Sequence, residues 1–541
     1  MALEPRLVEL AAKLGPSATP DEDPVLNIVT AALANKEAKW NLEDINAVVL
    51  SSEDIQLNAL DLCPYLWQHV LENEGATRLL NTISIKASSK ECIITLQEIQ
   101  ETLSTNLSLW AQDDQEDEEA GHRLVEKLSF ILQLYSNIIP RLVLRKKGPL
   151  ETLDQLIKGI STALRLGSAA ADKGRGRKLL ESLSKFIVGV TRWVKASSLA
   201  SDNEKNDCID LLATLLLNSL ATCGSYIQAN IAERYLESHF PRRYLHSSVD
   251  SESLQGQEVA SLMIESAKEL KLRPKSLLKL ASQGGGIALA CIVLIAHWPI
   301  EEYAPELQLL SQLGPQIEFL LQSSSLVDEC MFLLMSRANT QGELEVDTLA
   351  SAVAALASSS PNPVQRNTAF VTLSLLVKKI PPPARLAFFS ELLSNENPFP
   401  QMRVAAVGLV KESVLEALAS PEKNILVSNA LFGQLGRFLL RPDPLDLFGG
   451  RFDPKEFLTS SEPPRLIECL GFYYTLLQRD TSNKTGIRDP SSVSDTRRNL
   501  LDPLAGCLDN LQSVADKNSG MSVIALQIAL ERAQDALVNQ R

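Results

Sequence analysis

The sequence has few aromatic residues, few histidines and no long uninterrupted apolar run. Phe, Trp and Tyr make up 5% of the 541 residues, whereas hydrophobic residues make up 45%. Such a composition, rich in Leu, Ala and Ser, is typical of helices packed in layers rather than of a β-sandwich. No sustained period-two alternation bounded by turn residues occurs, so the sequence predicts an all-α protein without a sheet.

Patterns typical of membrane and secretory segments are also missing. The longest apolar run, residues 287–296, is about half as long as a helix that crosses a bilayer. The first residues, MALEPRLVELAAKLG, carry a charge every few positions and lack the apolar core of an ordinary secretory signal. We therefore expect no membrane association and a cytoplasmic location, and the sequence leaves the nucleus open as an additional location.

Residue patterns that carry chemistry are absent as well. The chain has no CxxC pair and no G-x-S-x-G turn, and its glycine run, SQGGGIALA, lacks the GK[ST] of a phosphate loop. The eight cysteines lie mostly in apolar helical text, which indicates buried free thiols in a reducing compartment. The sequence predicts no enzyme, no metal and no cofactor, because no Cys, Asp or Glu stands at metal-ligand spacing from any of the five histidines, His69, His122, His239, His246 and His297.

The charge balance is acidic. A formal net charge of −14 at pH 7 disfavours broad nucleic-acid binding and leaves basic protein surfaces as partners. The basic clusters at 142–148, 174–178 and 241–244 lack interleaved aromatic residues, so we interpret them as solvated loop or helix ends. The acidic run at 113–119 has two interpretations, a solvated loop or a docking site for a basic partner.

A Pro-x-Pro-x-x-Arg skeleton occurs twice in the C-terminal half. Pro363 and Arg366 of the first copy correspond to Pro400 and Arg403 of the second, 37 residues later. Apolar residues follow each copy at helical spacing, and a proline suits the first turn of a helix because its missing N–H costs no hydrogen bond there. We expect both arginines to bridge to carbonyls or carboxylates of the neighbouring unit, with contact to a ligand as the alternative.

A second apolar stripe precedes each copy with the same offset. Each unit therefore consists of a helix, a turn and a helix, and such hairpins at a period of roughly 35 to 47 residues are typical of α-solenoids. The offset finds little outside this pair. We predict an α-solenoid of HEAT-like helical hairpins with irregular repeats, in which the paired stripes are Leu349, Ala352 and Leu356 with Leu386, Phe389 and Leu393.

Polar stretches divide the chain into predicted regions. Residues 1–240 are predicted to form an N-terminal helical-repeat region and 257–541 a C-terminal HEAT-like region, joined by a connection at 241–256. A Pro- and Gly-rich insert at 440–464 interrupts the second region. Its phenylalanines, Phe448, Phe452 and Phe457, either pack back onto the solenoid or contact a partner.

The C-terminal text has a distinctive order of features. Residues 465–489, RLIECLGFYYTLLQRDTSNKTGIRD, run from an apolar helix into a polar Asn-x-Thr-Gly loop, and residues 497–512, RRNLLDPLAGCLDNLQ, contain Leu-x-Pro-Leu. This order resembles the C-terminal part of the glomulin family, and the segment 364–393 resembles the part that precedes it. The resemblance covers roughly residues 345–515. The insert makes the chain more similar to the fungal branch, which includes yeast proteins that bind the Yap oxidative-stress factor and associate with kinetochores.

The resemblance implies a HEAT-like protein whose C-terminal half binds the RING-box subunit of cullin-RING ubiquitin ligases. Such a protein covers the surface that recruits the ubiquitin-conjugating enzyme and inhibits by occlusion, and we expect it to act as a monomer. The yeast relatives imply an alternative, an adaptor that holds a Yap-type bZIP transcription factor in the oxidative stress response. A transport scaffold of the karyopherin type is a third hypothesis, which the acidic charge permits.

Aromatic and cationic residues near the C-terminus are the candidates for partner contact, because interface energy concentrates in such anchors. Tyr473 and Tyr474 are adjacent on a helix, so at least one of them is predicted to lie in the core. The candidate residues are Phe448 and Phe452 in the insert, and Tyr473, Tyr474, Lys484 and Arg488 in the segment that resembles the family.

Overall fold

The structure is a computed structural model, and every regular element that it describes is a helix. It describes residues 5–15, 23–34, 39–53, 55–112, 117–144, 147–241, 251–303, 312–338, 346–449, 452–516 and 519–539. Within these ranges no strand occurs, so the predicted all-α class is confirmed.

The helices alternate with short turns. Up to residue 303 they are α1 (Pro5–Leu14), α2 (Pro24–Ala34), α3 (Leu42–Ser51), α4 (Ala59–Trp67), α5 (Glu74–Lys86), α6 (Ser89–Gln112), α7 (Glu118–Ile138), α8 (Pro149–Ala169), α9 (Lys173–Ala196), α10 (Asp202–Cys223), α11 (Ile231–His239), α12 (Ser251–Glu269), α13 (Pro274–Ala281), α14 (Gly285–His297) and α15 (Ile300–Tyr303). They continue as α16 (Gly314–Gln322), α17 (Val327–Ala338), α18 (Val346–Ser359), α19 (Pro363–Val377), α20 (Pro382–Leu393), α21 (Pro400–Ala419), α22 (Ala430–Leu439), α23 (Pro454–Thr459), α24 (Glu462–Arg479), α25 (Pro490–Thr496), α26 (Asp502–Val514) and α27 (Gly520–Val538).

The chain forms two compact units. Unit 1 contains residues 1–316 and 328–330, and unit 2 contains residues 317–327 and 331–541. Of the predicted connection at 241–256, residues 242–250 lie outside the described residues, and α12 begins at Ser251. The units thus divide near residues 316–331, and the end of the predicted connection is helical.

In unit 1 most helices pack against the second helix after them. Contacts of this kind join α3 to α5, α4 to α6, α5 to α7, α6 to α8, α7 to α9 and α8 to α10. Consecutive helices such as α6 and α7 also pack together. This is the pattern of stacked helical hairpins, in which each hairpin buries its apolar face against its neighbours. The predicted solenoid of helical hairpins is therefore confirmed.

Helix α10 is apolar on more than one face. By length and composition the stretch Asp202–Tyr226 could cross a membrane, but 61% of its most apolar window is buried inside the protein. The helix packs against α8, α9 and α14, and Leu212, Leu216 and Leu220 are buried. Contacts with three neighbouring helices therefore account for its apolar composition.

The basic cluster at 174–178 is part of helix α9. Arg175 Nε lies 2.8 Å from Glu126 Oε1, and Arg177 is buried and donates from Nη2 to the Ile227 carbonyl at 2.6 Å. Both guanidinium groups thus contribute to packing inside unit 1. The cluster does lie at the start of a helix, which Asp172 caps from the position before it. The prediction that the cluster is solvated is wrong for Arg177, because its guanidinium is buried against backbone carbonyls.

Unit 2 contains the repeated skeleton. Pro363 and Pro400 are the first residues of α19 and α21, as the repeat predicts. The hairpins α18–α19 and α20–α21 follow one another, and α18 also contacts α21. The stripe residues of the first helices are buried in both copies, namely Leu349, Ala352, Leu356, Leu386, Phe389 and Leu393.

The two arginines of the skeleton hold the turns before their helices. Arg366 Nη1 donates to the Ser360 carbonyl at 2.7 Å. Arg403 Nε donates to the Leu393 carbonyl at 3.3 Å, and its Nη2 reaches Asp443 Oδ2 at 2.5 Å. The predicted bridge to a neighbouring unit is confirmed for Arg403, whose partner Asp443 follows α22. It is wrong for Arg366 as far as the described contacts show, because these contacts are to the turn before its own helix.

Candidate functional site

A buried ion pair in the first turn of α24 holds the start of the insert at 440–464 through hydrogen bonds to its backbone. The side chains of Glu462 and Arg465 are 8% and 3% exposed, and two contacts join them, Nη2–Oε1 at 2.5 Å and Nε–Oε2 at 2.6 Å. Arg465 Nη2 also donates to the Arg441 carbonyl at 2.9 Å, and Nη1 donates to the Phe438 carbonyl. The guanidinium thus satisfies the carbonyls of the chain that leaves α22, which fixes the start of the insert.

Asp443 connects this ion pair to the preceding hairpin. Its backbone N–H donates to Glu462 Oε1 at 2.9 Å. Its carboxylate accepts from Arg403 Nη2 at 2.5 Å and from Asn395 Nδ2 at 2.8 Å. The beginning of the insert is therefore held on two sides by charge-assisted hydrogen bonds, which are stronger than bonds between neutral groups.

The three phenylalanines of the insert form one cluster. Ring centroids are 5.6 Å apart for Phe448 and Phe452, 6.0 Å for Phe448 and Phe457, and 5.7 Å for Phe452 and Phe457. Phe457, in the short helix α23, is 2% exposed, whereas Phe448 and Phe452 are half-buried. Phe457 packs inward, and the other two rings rest on it with part of their surface in solvent.

The adjacent tyrosines of α24 have opposite environments. Tyr473 is 1% exposed, and burial raises the pKa of its hydroxyl to about 12. Tyr474 is 36% exposed. The prediction that at least one of them lies in the core is confirmed. Tyr473 is correspondingly a core residue between α24 and its neighbours, and Tyr474 is the member of the pair that a partner can contact.

The loop that follows α24 is built around a buried aspartate. Asp480 is 1% exposed, and its carboxylate accepts from the backbone N–H groups of Lys484 and Thr485 at 2.9 and 2.8 Å. The Thr485 hydroxyl donates to it at 2.7 Å. Asn483 and Gly486 have positive φ values of 51° and 72°. These contacts explain in structural terms why the Asn-x-Thr-Gly stretch has this composition.

The same loop contains the two candidate cations, Lys484 and Arg488, which have different environments. Arg488 is half-buried and donates from Nη2 to the Leu477 carbonyl in the last turn of α24 at 2.5 Å. Its backbone N–H donates to Asn483 Oδ1 at 2.9 Å. Lys484 is exposed at the tip of the loop, and Arg479, which the sequence analysis did not select, is exposed at the end of α24. We define the C-terminal surface as Phe448, Phe452, Tyr474, Arg479, Lys484 and Arg488.

A groove of about 880 Å³ in unit 2 was not predicted. It lies along α18 and α20, and small side chains of both helices line it, with Glu391 and Arg437 among its charged residues. The available signal was the spacing of Ser351, Ala355 and Ser358 on α18. Small residues at this spacing also occur where helices pack closely, so the sequence could not distinguish an open groove from a packed face.

His297 lies in a buried cluster of unit 1. His297 Nε2 is 3.3 Å from Glu329 Oε1, and both side chains are about 5% exposed. The neighbouring Asp328 accepts from the backbone N–H groups of Ile231 and Ala232 at 2.8 and 2.9 Å, where α11 begins. Burial and the charge of Glu329 raise the pKa of Asp328 to about 6. Among the described residues, no group of three or more His, Cys, Asp or Glu side chains could hold a metal ion.

Residues 309–535 match the model of a family that is described as an uncharacterised protein family, YAP/Alf4/glomulin. The match covers less than half of the chain, and it shows that this part is similar to the family. The matched range contains the whole C-terminal surface and the two repeated hairpins, and it includes the region, roughly 345–515, whose resemblance suggested the family. No curated protein matches the chain. The similarity of residues 309–535 to the YAP/Alf4/glomulin family supports a protein-binding role for this helical array.

Proposed function

We propose that this protein, whose residues 309–535 are similar to the YAP/Alf4/glomulin family, is a non-catalytic inhibitor of cullin-RING ubiquitin ligases. Through the C-terminal surface it binds the RING-box subunit and covers the site that recruits the ubiquitin-conjugating enzyme. It acts in the cytoplasm, and the nucleus is a second location to test. Occlusion requires shape and affinity but no reactive group, which agrees with a sequence that offers no catalytic pattern.

The observation that carries the proposal is the coincidence of the family match with a prepared surface. The insert with the half-buried rings of Phe448 and Phe452 is held at its start by the buried pair of Glu462 and Arg465, and the family match includes both. A surface that is already ordered loses little conformational entropy when a partner binds. Half-exposed aromatic rings are also the kind of anchor in which binding energy concentrates.

The test is a titration of the full chain against the RING-box protein of the same organism, bound to its cullin. Ubiquitin chain formation is followed in the same samples. We expect saturable binding and a parallel loss of chain formation. Binding without any loss of chain formation, or no binding, would contradict the proposal.

Two variants test whether the C-terminal surface is the interface. Phe448→Ala with Phe452→Ala removes the half-buried rings, and Tyr474→Ala removes the exposed tyrosine of α24. Each is expected to weaken binding by about 1 to 2 kcal/mol, or roughly 5- to 30-fold. Phe319→Ala is the control, since Phe319 is 66% exposed in α16 and lies outside the C-terminal surface. Equal affinity of all these variants and the wild type would remove the C-terminal surface from the proposal.

The family description favours one alternative, because it names YAP together with glomulin. In that case the chain is an adaptor for a Yap-type bZIP transcription factor in the oxidative stress response, and kinetochore association is a further possibility. Co-purification of the factor with the full chain, and slower oxidation of the factor when the chain is absent, are the expected results. Oxidation at an unchanged rate without the chain would exclude this role.

A further inference from the structure

The C-terminal end of α24 and the loop after it carry three cations that form no ion pair among the described residues. Arg479 and Lys484 are exposed, and neither forms an ion pair among the residues that the structure describes. Within the described part of the chain, the Arg488 guanidinium donates to the Leu477 carbonyl, and its Nε has no acceptor. Three positive groups thus lie within ten residues of sequence on a chain whose net charge is −14.

Some other arginines of unit 2 differ in this respect. Four of them have a carboxylate partner at 3.0 Å or less, in the pairs Arg403–Asp443, Arg441–Asp495, Arg465–Glu462 and Arg498–Asp495. Two acidic residues, Asp480 and Asp489, lie beside the three cations in sequence, but their carboxylates accept hydrogen bonds inside the loop. The Asp480 carboxylate accepts three hydrogen bonds inside the loop, and Asp489 Oδ1 accepts from Asn483 Nδ2 at 2.8 Å.

The loop fixes the backbone of Lys484 and the guanidinium of Arg488 before any partner arrives. Lys484 follows Asn483, whose positive φ turns the chain. The backbone N–H of Lys484 donates to the Asp480 carboxylate. The Arg488 guanidinium is fixed against the last turn of α24, one turn beyond the exposed Tyr474. Tyrosine and arginine are enriched among interface anchors, because they bury a large surface.

We propose that Arg479, Lys484 and Arg488, together with Tyr474, form a docking site for an acidic segment of a protein partner. The proposal rests on the proposed function only in that this end of unit 2 contacts a protein; the partner need not be a RING-box subunit. Charge complementarity selects an acidic partner. The site consists of few cations and a single exposed ring on an acidic chain, so a protein carboxylate cluster fits it better than the long polyanion of a nucleic acid.

The probe is a short fluorescein-labelled peptide in which Asp and Glu alternate with Leu and Tyr. The control peptide has the same sequence with Asn in place of Asp and Gln in place of Glu. Fluorescence anisotropy with the full chain is expected to show binding of the acidic peptide alone. Affinity should fall when NaCl rises from about 50 to about 200 mM, because screening weakens exposed charge pairs.

The variant Arg479→Glu with Lys484→Glu reverses two cations and keeps Arg488, whose contact to Leu477 belongs to the fold. It is expected to bind the acidic peptide at least about tenfold more weakly, since two attractive pairs become repulsive. The control, Lys178→Glu with Lys378→Glu, changes the net charge by the same amount at exposed lysines outside the C-terminal surface. Circular dichroism and thermal melting of both variants verify that they fold.

Three results would overturn the proposal. The first is equal binding of the acidic peptide to the wild type and to the reversed variant. The second is equal binding of the acidic peptide and the control peptide. The third is a single-stranded DNA oligonucleotide that binds more tightly than the acidic peptide, which would assign the cations to nucleic acid. The RING-box titration is read separately, so a partner that binds with unchanged affinity to the reversed variant leaves the proposed function intact and removes only this docking site.

Discussion

Arg403 and Asp443 form an ion pair across forty residues of sequence, with Nη2 and Oδ2 2.5 Å apart. The pair joins the first residues of a repeated helix to the insert that carries Phe448 and Phe452. The two side chains are 13% and 24% exposed. A partly buried pair of this kind fixes the position of the insert more firmly than a solvent-exposed pair would.

Arg403→Gln and Asp443→Asn test this connection in a double-mutant cycle. Each single change is expected to lower the free energy of unfolding by about 1 to 3 kcal/mol, because hydrogen bonds to charged groups have this range. The coupling energy should be at least about 0.5 kcal/mol. The measurement is urea unfolding at neutral pH. Additive effects of the two changes would show that the side chains do not stabilise each other.

The buried pair of Glu462 and Arg465 should tolerate removal of one partner poorly. Glu462→Gln leaves the guanidinium of Arg465 with reduced compensation in a site that is 3% exposed. We expect a loss of about 3 kcal/mol or more in the free energy of unfolding. The exposed pair of Lys158 and Asp154 is the control, and Asp154→Asn should cost less than about 0.5 kcal/mol. Similar small costs at both sites would contradict the structural role assigned to Glu462.

The sequence predicted the repeated hairpins because their signals are local. A proline at the first helical turn and apolar residues at helical spacing depend only on neighbours in the chain, and Pro363 and Pro400 start helices as expected. The contact of Arg403 to Asp443 could not be located, since it depends on where a later segment returns. The small-residue groove along α18 was missed for a similar reason, because the same residues suit a packed face.

The candidate surface was predictable in part. The sequence selected the C-terminal segment and anticipated that Tyr473 or Tyr474 is buried, but the packing of α24 against α21 and α27 decides which one. Arg479 was not selected, because its significance lies in what surrounds it. Asp480 follows Arg479 in the sequence, and only the structure shows that the Asp480 carboxylate accepts hydrogen bonds inside the loop.

The two tyrosines should respond differently to truncation. Tyr473→Ala removes a buried ring from the core and is expected to lower the free energy of unfolding by about 3 to 5 kcal/mol. Tyr474→Ala should change stability by less than about 0.5 kcal/mol, since its side chain is partly in solvent. Thermal melting and urea unfolding of the two variants provide the measurement. If Tyr474→Ala unfolds the protein as readily, Tyr474 belongs to the core and not to the C-terminal surface.

Gly486 is expected to resist substitution. Its φ is +72°, and a Cβ placed there would lie 2.6 Å from Asn429 Oδ1. Gly486→Ala should therefore lower the free energy of unfolding by about 2 kcal/mol. Gly471, in α24, has no atom within 4 Å of a Cβ built on it, so Gly471→Ala is expected to raise stability by about 0.5 to 1 kcal/mol. The two variants with opposite expected signs are compared by urea unfolding, and a neutral Gly486→Ala would contradict the strained turn.

Asp328 is expected to make stability fall as the pH rises through weakly acidic values. Its pKa is raised from 3.8 to about 6, because burial and the nearby Glu329 disfavour the charged carboxylate. A raised pKa means that the folded protein binds the proton more tightly than the unfolded chain does. The resulting stabilisation is complete below the unfolded pKa and is lost as the pH rises through the folded value.

The comparison that isolates this effect is the wild type against Asp328→Asn, measured by urea unfolding between about pH 4 and about pH 7. The free energy of unfolding of the wild type relative to the variant should fall by about 3 kcal/mol over this range, since each pKa unit corresponds to about 1.4 kcal/mol. Asp154→Asn serves as the exposed control and should show no comparable slope. Asp328 accepts hydrogen bonds from two backbone N–H groups of α11. These bonds favour its charged form and oppose the effect of burial on its pKa. A difference that rises with pH would therefore mean that this helix cap outweighs burial, and that Asp328 is ionised in the folded protein throughout the range.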